Sequence, residues 1–178
     1  MSNIVLMVVD VQNALIEKHP YNEKGVIENI KKLISTARDN KKEVIYVRHD
    51  DGKGTELEKG TEGWQIYDEI APNSDELIFE KQYNSAFHKT ELEKYLESKE
   101  IDTIILMGLQ TEYCIDATCK SAFDCGYKII IPKETNSTLD NEYLSGDKIY
   151  EFYNYNIWNN RFANVIPVDD VIKVLMNN

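Results

Sequence analysis

Basic side chains are scarce in this 178-residue sequence: 20 Lys and Arg stand against 31 Asp and Glu, for a formal net charge of -11. That deficit argues against a nucleic-acid or anionic-membrane partner, since either recruits clustered cations. Long apolar runs are missing as well. The longest, Ile4 to Val9, has six residues, against the roughly 20 that a bilayer crossing needs. It carries neither the basic lead-in nor the small-residue cleavage site of a signal peptide, so it reads as a strand. Cysteine is rare and odd in number, three residues spaced C-x4-C-x5-C, which matches no zinc or disulfide framework. Reduced thiols in a cytoplasmic protein follow as the expectation. Histidine is equally scarce, with His19, His49 and His88 alone, which leaves little for a metal site. No internal repeat, low-complexity tract or break in composition divides the chain. With 42% hydrophobic and 29% charged residues, residues 1–178 read as one globular domain.

What is present alternates. Ile4-Val-Leu-Met-Val-Val9 is apolar at every position, the pattern of a strand buried on both faces, and it stops at Asp10. Val26, Ile27, Ile30, Leu33, Ile34 and Ala37 then recur at helical spacing within residues 23–40. A second strand, Glu43-Val-Ile-Tyr-Val47, leads into a polar, glycine-dotted stretch over residues 50–63. Glu76-Leu-Ile-Phe79 is a third strand, and Leu92, Tyr95 and Leu96 mark a helix. Thr103-Ile-Ile-Leu-Met107 is a fourth strand, followed by a helix holding Ile115, Ala117, Ala122 and Phe123 and stopped near Gly126. Tyr127-Lys-Ile-Ile-Ile131 and Asn164-Val-Ile166 complete six strands, with a last short helix over residues 169–176. Strands alternating with helices require crossover connections, and these give a parallel sheet with helices on both faces. The fold class is therefore α/β, and in such sheets the site lies at the carboxyl ends of the strands.

Three reactive side chains fall at that edge. Asp10 ends the first strand, Lys81 lies two residues past the predicted third, and Cys114 lies in the first turn after the fourth. A helix start and a nearby ammonium both favour a thiolate. Asp10 can take the thiol proton, Lys81 can balance charge, and N–H groups at the helix start can receive an oxyanion. These are the parts of an acyl transfer through a thioester. Each has an ordinary structural reading when taken alone, and Cys119 and Cys125 read as small core residues. The coincidence of three at strand ends carries the functional one.

Val8-Val9-Asp10-Val11-Gln12-Asn13, Lys81-x-x-x-Ser85-Ala86-Phe87 and Gly108-Leu109-Gln110-Thr111-x-x-Cys114 together resemble the isochorismatase-like cysteine hydrolases, in order and spacing, over about residues 1–170. The resemblance implies a three-layer α/β/α sandwich around a six-stranded, mostly parallel sheet. It implies Asp10, Lys81 and Cys114 as a catalytic triad, with a cis bond between Leu109 and Gln110. That bond would turn the Gln110 N–H toward the Cys114 N–H as a two-donor oxyanion hole.

By the same resemblance the chemistry is hydrolysis of an amide or related C–N bond, because the family's vinyl-ether hydrolases as a group lack the nucleophilic cysteine. Its nicotinamidases hold a divalent metal through an Asp-x-His pair, whereas this sequence reads Arg48-His49-Asp50-Asp51. No metal or other cofactor is expected, and His49 reads as a hydrogen-bonded structural residue. Gln12 follows Asp10 closely enough to reach a substrate, and Trp64, Tyr83 and Phe87 could wall an apolar pocket for a small molecule. The aromatic stretch at residues 150–158 could line that pocket or a contact between subunits, and family members are usually homo-oligomers. An ether hydrolase that leaves Cys114 idle, a nicotinamidase and a non-catalytic scaffold are the competing readings.

Overall fold

A six-residue run without a polar side chain can be satisfied only where both faces of a strand are covered. In the computed structural model, which describes residues 3–177, β1 (Ile4–Val9) is buried at every position. Its side chains divide by the twofold alternation of a strand. Ile4, Leu6 and Val8 enter one apolar cluster, and Val5, Met7 and Val9 enter the other.

The strand sits at the centre of a parallel sheet ordered β3-β2-β1-β4-β5-β7. The other strands of this sheet are β2 (Glu43–His49), β3 (Leu77–Lys81), β4 (Thr103–Leu109), β5 (Lys128–Pro132) and β7 (Asn164–Ile166), and β1 pairs with β2 and β4. The two-residue β6 (Asn136–Ser137) pairs in parallel with the end of β4, opposite Gly108 and Leu109. It carries no apolar signal, which is why the sequence pattern shows six strands rather than seven. On one face, α2 (Glu23–Asp39) and α6 (Val168–Asn177) cover the sheet with Ile30, Leu33, Val171 and Leu175. On the other, α3 (Leu92–Ser98) and α4 (Asp116–Asp124) contribute Leu92, Leu96, Cys119 and Ala122. A short α1 (Asn13–Ile16) follows β1, and α5 (Gly146–Glu151) runs into a π-helical turn over Phe152–Trp158. The three-layer α/β/α sandwich expected from the sequence is therefore observed, with a mostly parallel sheet.

Strand order reverses between β1 and β4, and the crevice at the carboxyl end of such a reversal is where open α/β sheets bind ligands. Gly108 allows the two strands to meet there. Its φ is +129°, and a Cβ at this position would lie 1.9 Å from the Val9 carbonyl oxygen. No other residue tolerates that approach. Two strands run further than their apolar patterns: β2 extends to His49 and β3 to Lys81, and these terminal residues are register partners.

Candidate active site

Each reactive side chain is placed by the element that ends beside it. Asp10 adopts a left-handed conformation (φ 54°) just after β1, a geometry that Asp tolerates better than most residues. Its N–H donates to the Val47 carbonyl at 2.9 Å, which ties the turn to β2. Lys81 is the last residue of β3 rather than two residues beyond it. Cys114 lies in a π-helical turn, Thr111–Ile115, that precedes α4. The Gln110 carbonyl anchors this turn by accepting from the Tyr113 and Ile115 N–H groups, both at 3.2 Å. The Leu109–Gln110 peptide is cis.

These elements bring Asp10, Lys81 and Cys114 together. Lys81 Nζ is 2.6 Å from Asp10 Oδ2, with both side chains almost fully buried, and it donates to Cys114 Sγ at 3.2 Å. A third partner was read from the sequence as merely structural: His49 Nδ1 lies 3.0 Å from the same Nζ. The Asp10 oxygens meet no hydrogen-bond donor among the described residues beyond the Lys81 ammonium and the Cys114 thiol.

The thiol is neutral at rest. Burial, reinforced by the Asp10 charge, pushes Cys114 up to about 12, and the Lys81 ammonium only partly offsets this. The Lys81 ammonium favours the thiolate, as expected, but burial and the Asp10 charge outweigh it. Desolvation disfavours the charged form, and here it outweighs one cation that Asp10 already neutralises. The nucleophile therefore needs a base, and Asp10 is the carboxylate in reach.

Asp10 and Cys114 open onto a cavity of about 200 Å³, which Gln110 also lines. Its apolar wall is formed by Leu15, Leu57, Leu109 and Tyr113, with Lys18, Glu56 and Asn84 among its polar groups. Larger clefts lie elsewhere, one of about 420 Å³ beside Arg38 and Glu76, but that cleft holds no nucleophile. Lys18 and Glu56 form an ion pair between the segment after α1 and the loop after β2.

The structure does not bring the expected substrate contacts to this cavity. Gln12 is fully buried, and both of its amide hydrogens are used, at 2.9 Å to the His49 carbonyl and 2.8 Å to the Trp64 carbonyl. Trp64 is buried beneath the Arg48 guanidinium, whose carbon is 3.3 Å from the ring centre. Tyr83 is exposed and accepts a hydrogen bond from Lys89 Nζ at 3.0 Å, and Phe87 packs against Tyr127. The aromatic stretch at residues 150–158 is also absent from the cavity lining. Trp158 is buried with its Nε1–H donating to Asp116 at 2.9 Å, while Phe152 and Tyr155 are exposed. Cys119 is buried as expected, but Cys125, expected in the core, is exposed at the end of α4. Leu57 carried a signal in the sequence, as a lone large aliphatic residue in a polar loop.

Among the described residues, Asp10, His49 and Cys114 are the group whose ligand atoms, all within 4.8 Å of one another, could hold a metal ion. The Lys81 ammonium contacts all three at 2.6, 3.0 and 3.2 Å. A divalent cation would have to share their centre with a bonded cation, so the donor set does not fit a resident metal. No described helix is long and apolar enough to cross a membrane.

Known proteins resemble the chain in sequence or in fold. Over 126 residues the chain is 33% identical to the isochorismatase family protein YrdC of Bacillus subtilis, covering 68% of this chain and 67% of that protein. It is 30% identical over 191 residues to an N-carbamoylsarcosine amidase of Arthrobacter, covering 94% of this chain and 69% of the relative. The crystal structure of a cysteine hydrolase from Pseudomonas syringae pv. phaseolicola superimposes with a TM-score of 0.91 at 24% identity, over 98% of this chain and 93% of that one. The isochorismatase domain family model matches residues 4–169, from the first residue of the central strand into the last helix, and the chain belongs to that family.

Proposed function

We propose that the protein hydrolyses a small-molecule amide or related C–N bond through a thioester on Cys114. The observation that carries this reading is the buried Lys81 ammonium, bonded at once to a carboxylate and a thiol that open onto one cavity. Asp10 accepts the Cys114 proton as Sγ attacks the carbonyl carbon, and the Lys81 charge holds the sulfur and the carboxylate in register. The backbone N–H groups of Gln110 and Cys114 receive the oxygen of the tetrahedral intermediate. As the C–N bond breaks, Asp10 returns its proton to the departing amine. Water then enters, Asp10 takes one of its protons as the hydroxyl attacks the thioester, and the proton passes from Asp10 to the departing Cys114 sulfur, which releases the acid and restores the thiol.

The similarity to an N-carbamoylsarcosine amidase supports the C–N bond as the target. The roughly 200 Å³ cavity supports a small substrate. The exposed Phe152 and Tyr155 support a homo-oligomer, because aromatic side chains are enriched where subunits meet. The test is ammonia release from a panel of primary amides and N-carbamoyl compounds, nicotinamide included. Release by wild type and none by Cys114→Ala is expected. Equal release by the two proteins would refute the nucleophile.

A further inference from the structure

An ammonium has three N–H donors and no acceptor. In Lys81 each has a partner of its own: Asp10 Oδ2 at 2.6 Å, His49 Nδ1 at 3.0 Å and Cys114 Sγ at 3.2 Å. The Lys81 side chain has no solvent exposure while the His49 ring, itself part of the cavity wall, is in place. The imidazole's other nitrogen, Nε2, faces Asp51 Oδ1 at 3.6 Å. A neutral imidazole with its proton on Nε2 presents the Nδ1 lone pair to Lys81.

The ring is also braced from behind. Gln12 donates through Nε2 to the His49 carbonyl and accepts through Oε1 from the His49 N–H, both at 2.9 Å. The second Nε2 hydrogen goes to the Trp64 carbonyl. A wholly buried amide is thus spent on fixing the end of β2, in register with Lys81 at the end of β3. This gives Gln12 a task although it stands away from the cavity.

We infer that His49 is a positioning residue for the triad: its Nδ1 is the third acceptor that aims the Lys81 ammonium at Asp10 and Cys114, and Gln12 holds the ring in place. The inference builds on the amidohydrolase reading, but it concerns the reactivity of Cys114 and can be tested without a substrate. With the acceptor gone, one buried ammonium hydrogen is unpaired and the cation is free to turn away from the sulfur.

The experiment measures alkylation of Cys114 by iodoacetamide at fixed pH, read by mass spectrometry on its peptide, with the exposed Cys125 of the same molecules as internal standard. His49→Leu keeps bulk and supplies no acceptor. His49→Asn places an amide oxygen near the site of Nδ1. Loss of one charge-assisted hydrogen bond should slow Cys114 at least about tenfold in His49→Leu. His49→Asn should stay within about threefold of wild type. In a Lys81→Met background, His49→Leu should add no further loss, because His49 acts through Lys81. An acceptor-free variant reacting at the wild-type rate would overturn the inference, as would Asn as slow as Leu, or an undiminished His49→Leu effect without Lys81. Ammonia release is followed in the same proteins. A silent wild type with the alkylation order intact would count against the substrate class and for the role of His49.

Discussion

Replacing Asp10 by Asn should make Cys114 more reactive toward an alkylating agent while destroying amide turnover. Burial is the largest cause that lifts the thiol to about 12, and the Asp10 charge and its hydrogen bond with the thiol add to it. An Asp10 oxygen lies within 4.8 Å of Sγ. At that separation and an effective dielectric of about 20, the repulsion is worth about 3.5 kcal/mol. Removing it should bring the thiol's midpoint down by roughly two and a half pH units. Below the midpoint the thiolate fraction then rises by roughly 300-fold, but a less basic sulfur attacks more slowly, with a Brønsted coefficient of about 0.4–0.5. The net expectation is a gain of about twentyfold in the Cys114 alkylation rate near neutral pH. The assay is iodoacetamide labelling resolved by peptide mass, with Cys125 as standard, beside ammonia release from any active amide. The asparagine amide cannot take the thiol proton, so turnover should vanish. A Cys114 that labels no faster in Asp10→Asn would refute the electrostatic argument, and retained turnover would refute Asp10 as the base.

Lys81→Met should act in the opposite sense, slowing Cys114 alkylation, because its charge and hydrogen bond both lower the thiol. It also strands a carboxylate that is 1% exposed, so a loss of about 3–5 kcal/mol in urea unfolding is expected. In wild type, the labelling rate should climb with pH without a plateau up to about pH 10, since a raised thiol stays protonated across that range. A plateau near neutrality would mean a resting thiolate. Leu6→Ala, in the middle of β1 with no exposed surface, should cost about 2–5 kcal/mol in the same unfolding measurement. Light scattering should give an oligomer for wild type, and Phe152→Arg with Tyr155→Arg should reduce it to a monomer. A wild-type monomer would dismiss that face as an interface.

The central strand was legible because a run with no polar residue has one comfortable place in an α/β protein. Helix α2 was legible because six apolar positions at helical spacing define one buried stripe. Asp10, Lys81 and Cys114 could be placed at one edge because strand ends in a parallel sheet share an edge. His49 could not, since its role depends on β2 and β3 both outrunning their apolar patterns by the amount that sets His49 beside Lys81. Gln12 was misjudged for a related reason. Its nearness to Asp10 in the chain says nothing of the three carbonyl and N–H groups that claim its amide. Trp64, Tyr83 and Phe87 flank the motifs in sequence, yet each is engaged by a residue outside the cavity lining. Size and aromaticity indicate that a side chain will pack, but not against what. The protonation of Cys114 turned on burial, which no spacing argument measures.

The proposed reaction passes through a covalent bond between the substrate carbonyl and Cys114. Once an active amide is found, acid quenching during turnover and mass analysis of the Cys114 peptide test it directly. An adduct equal in mass to the substrate's acyl group is expected, confined to Cys114 and absent from Cys114→Ala. Steady turnover by Cys114→Ala, or an acyl group carried on another residue, would contradict it.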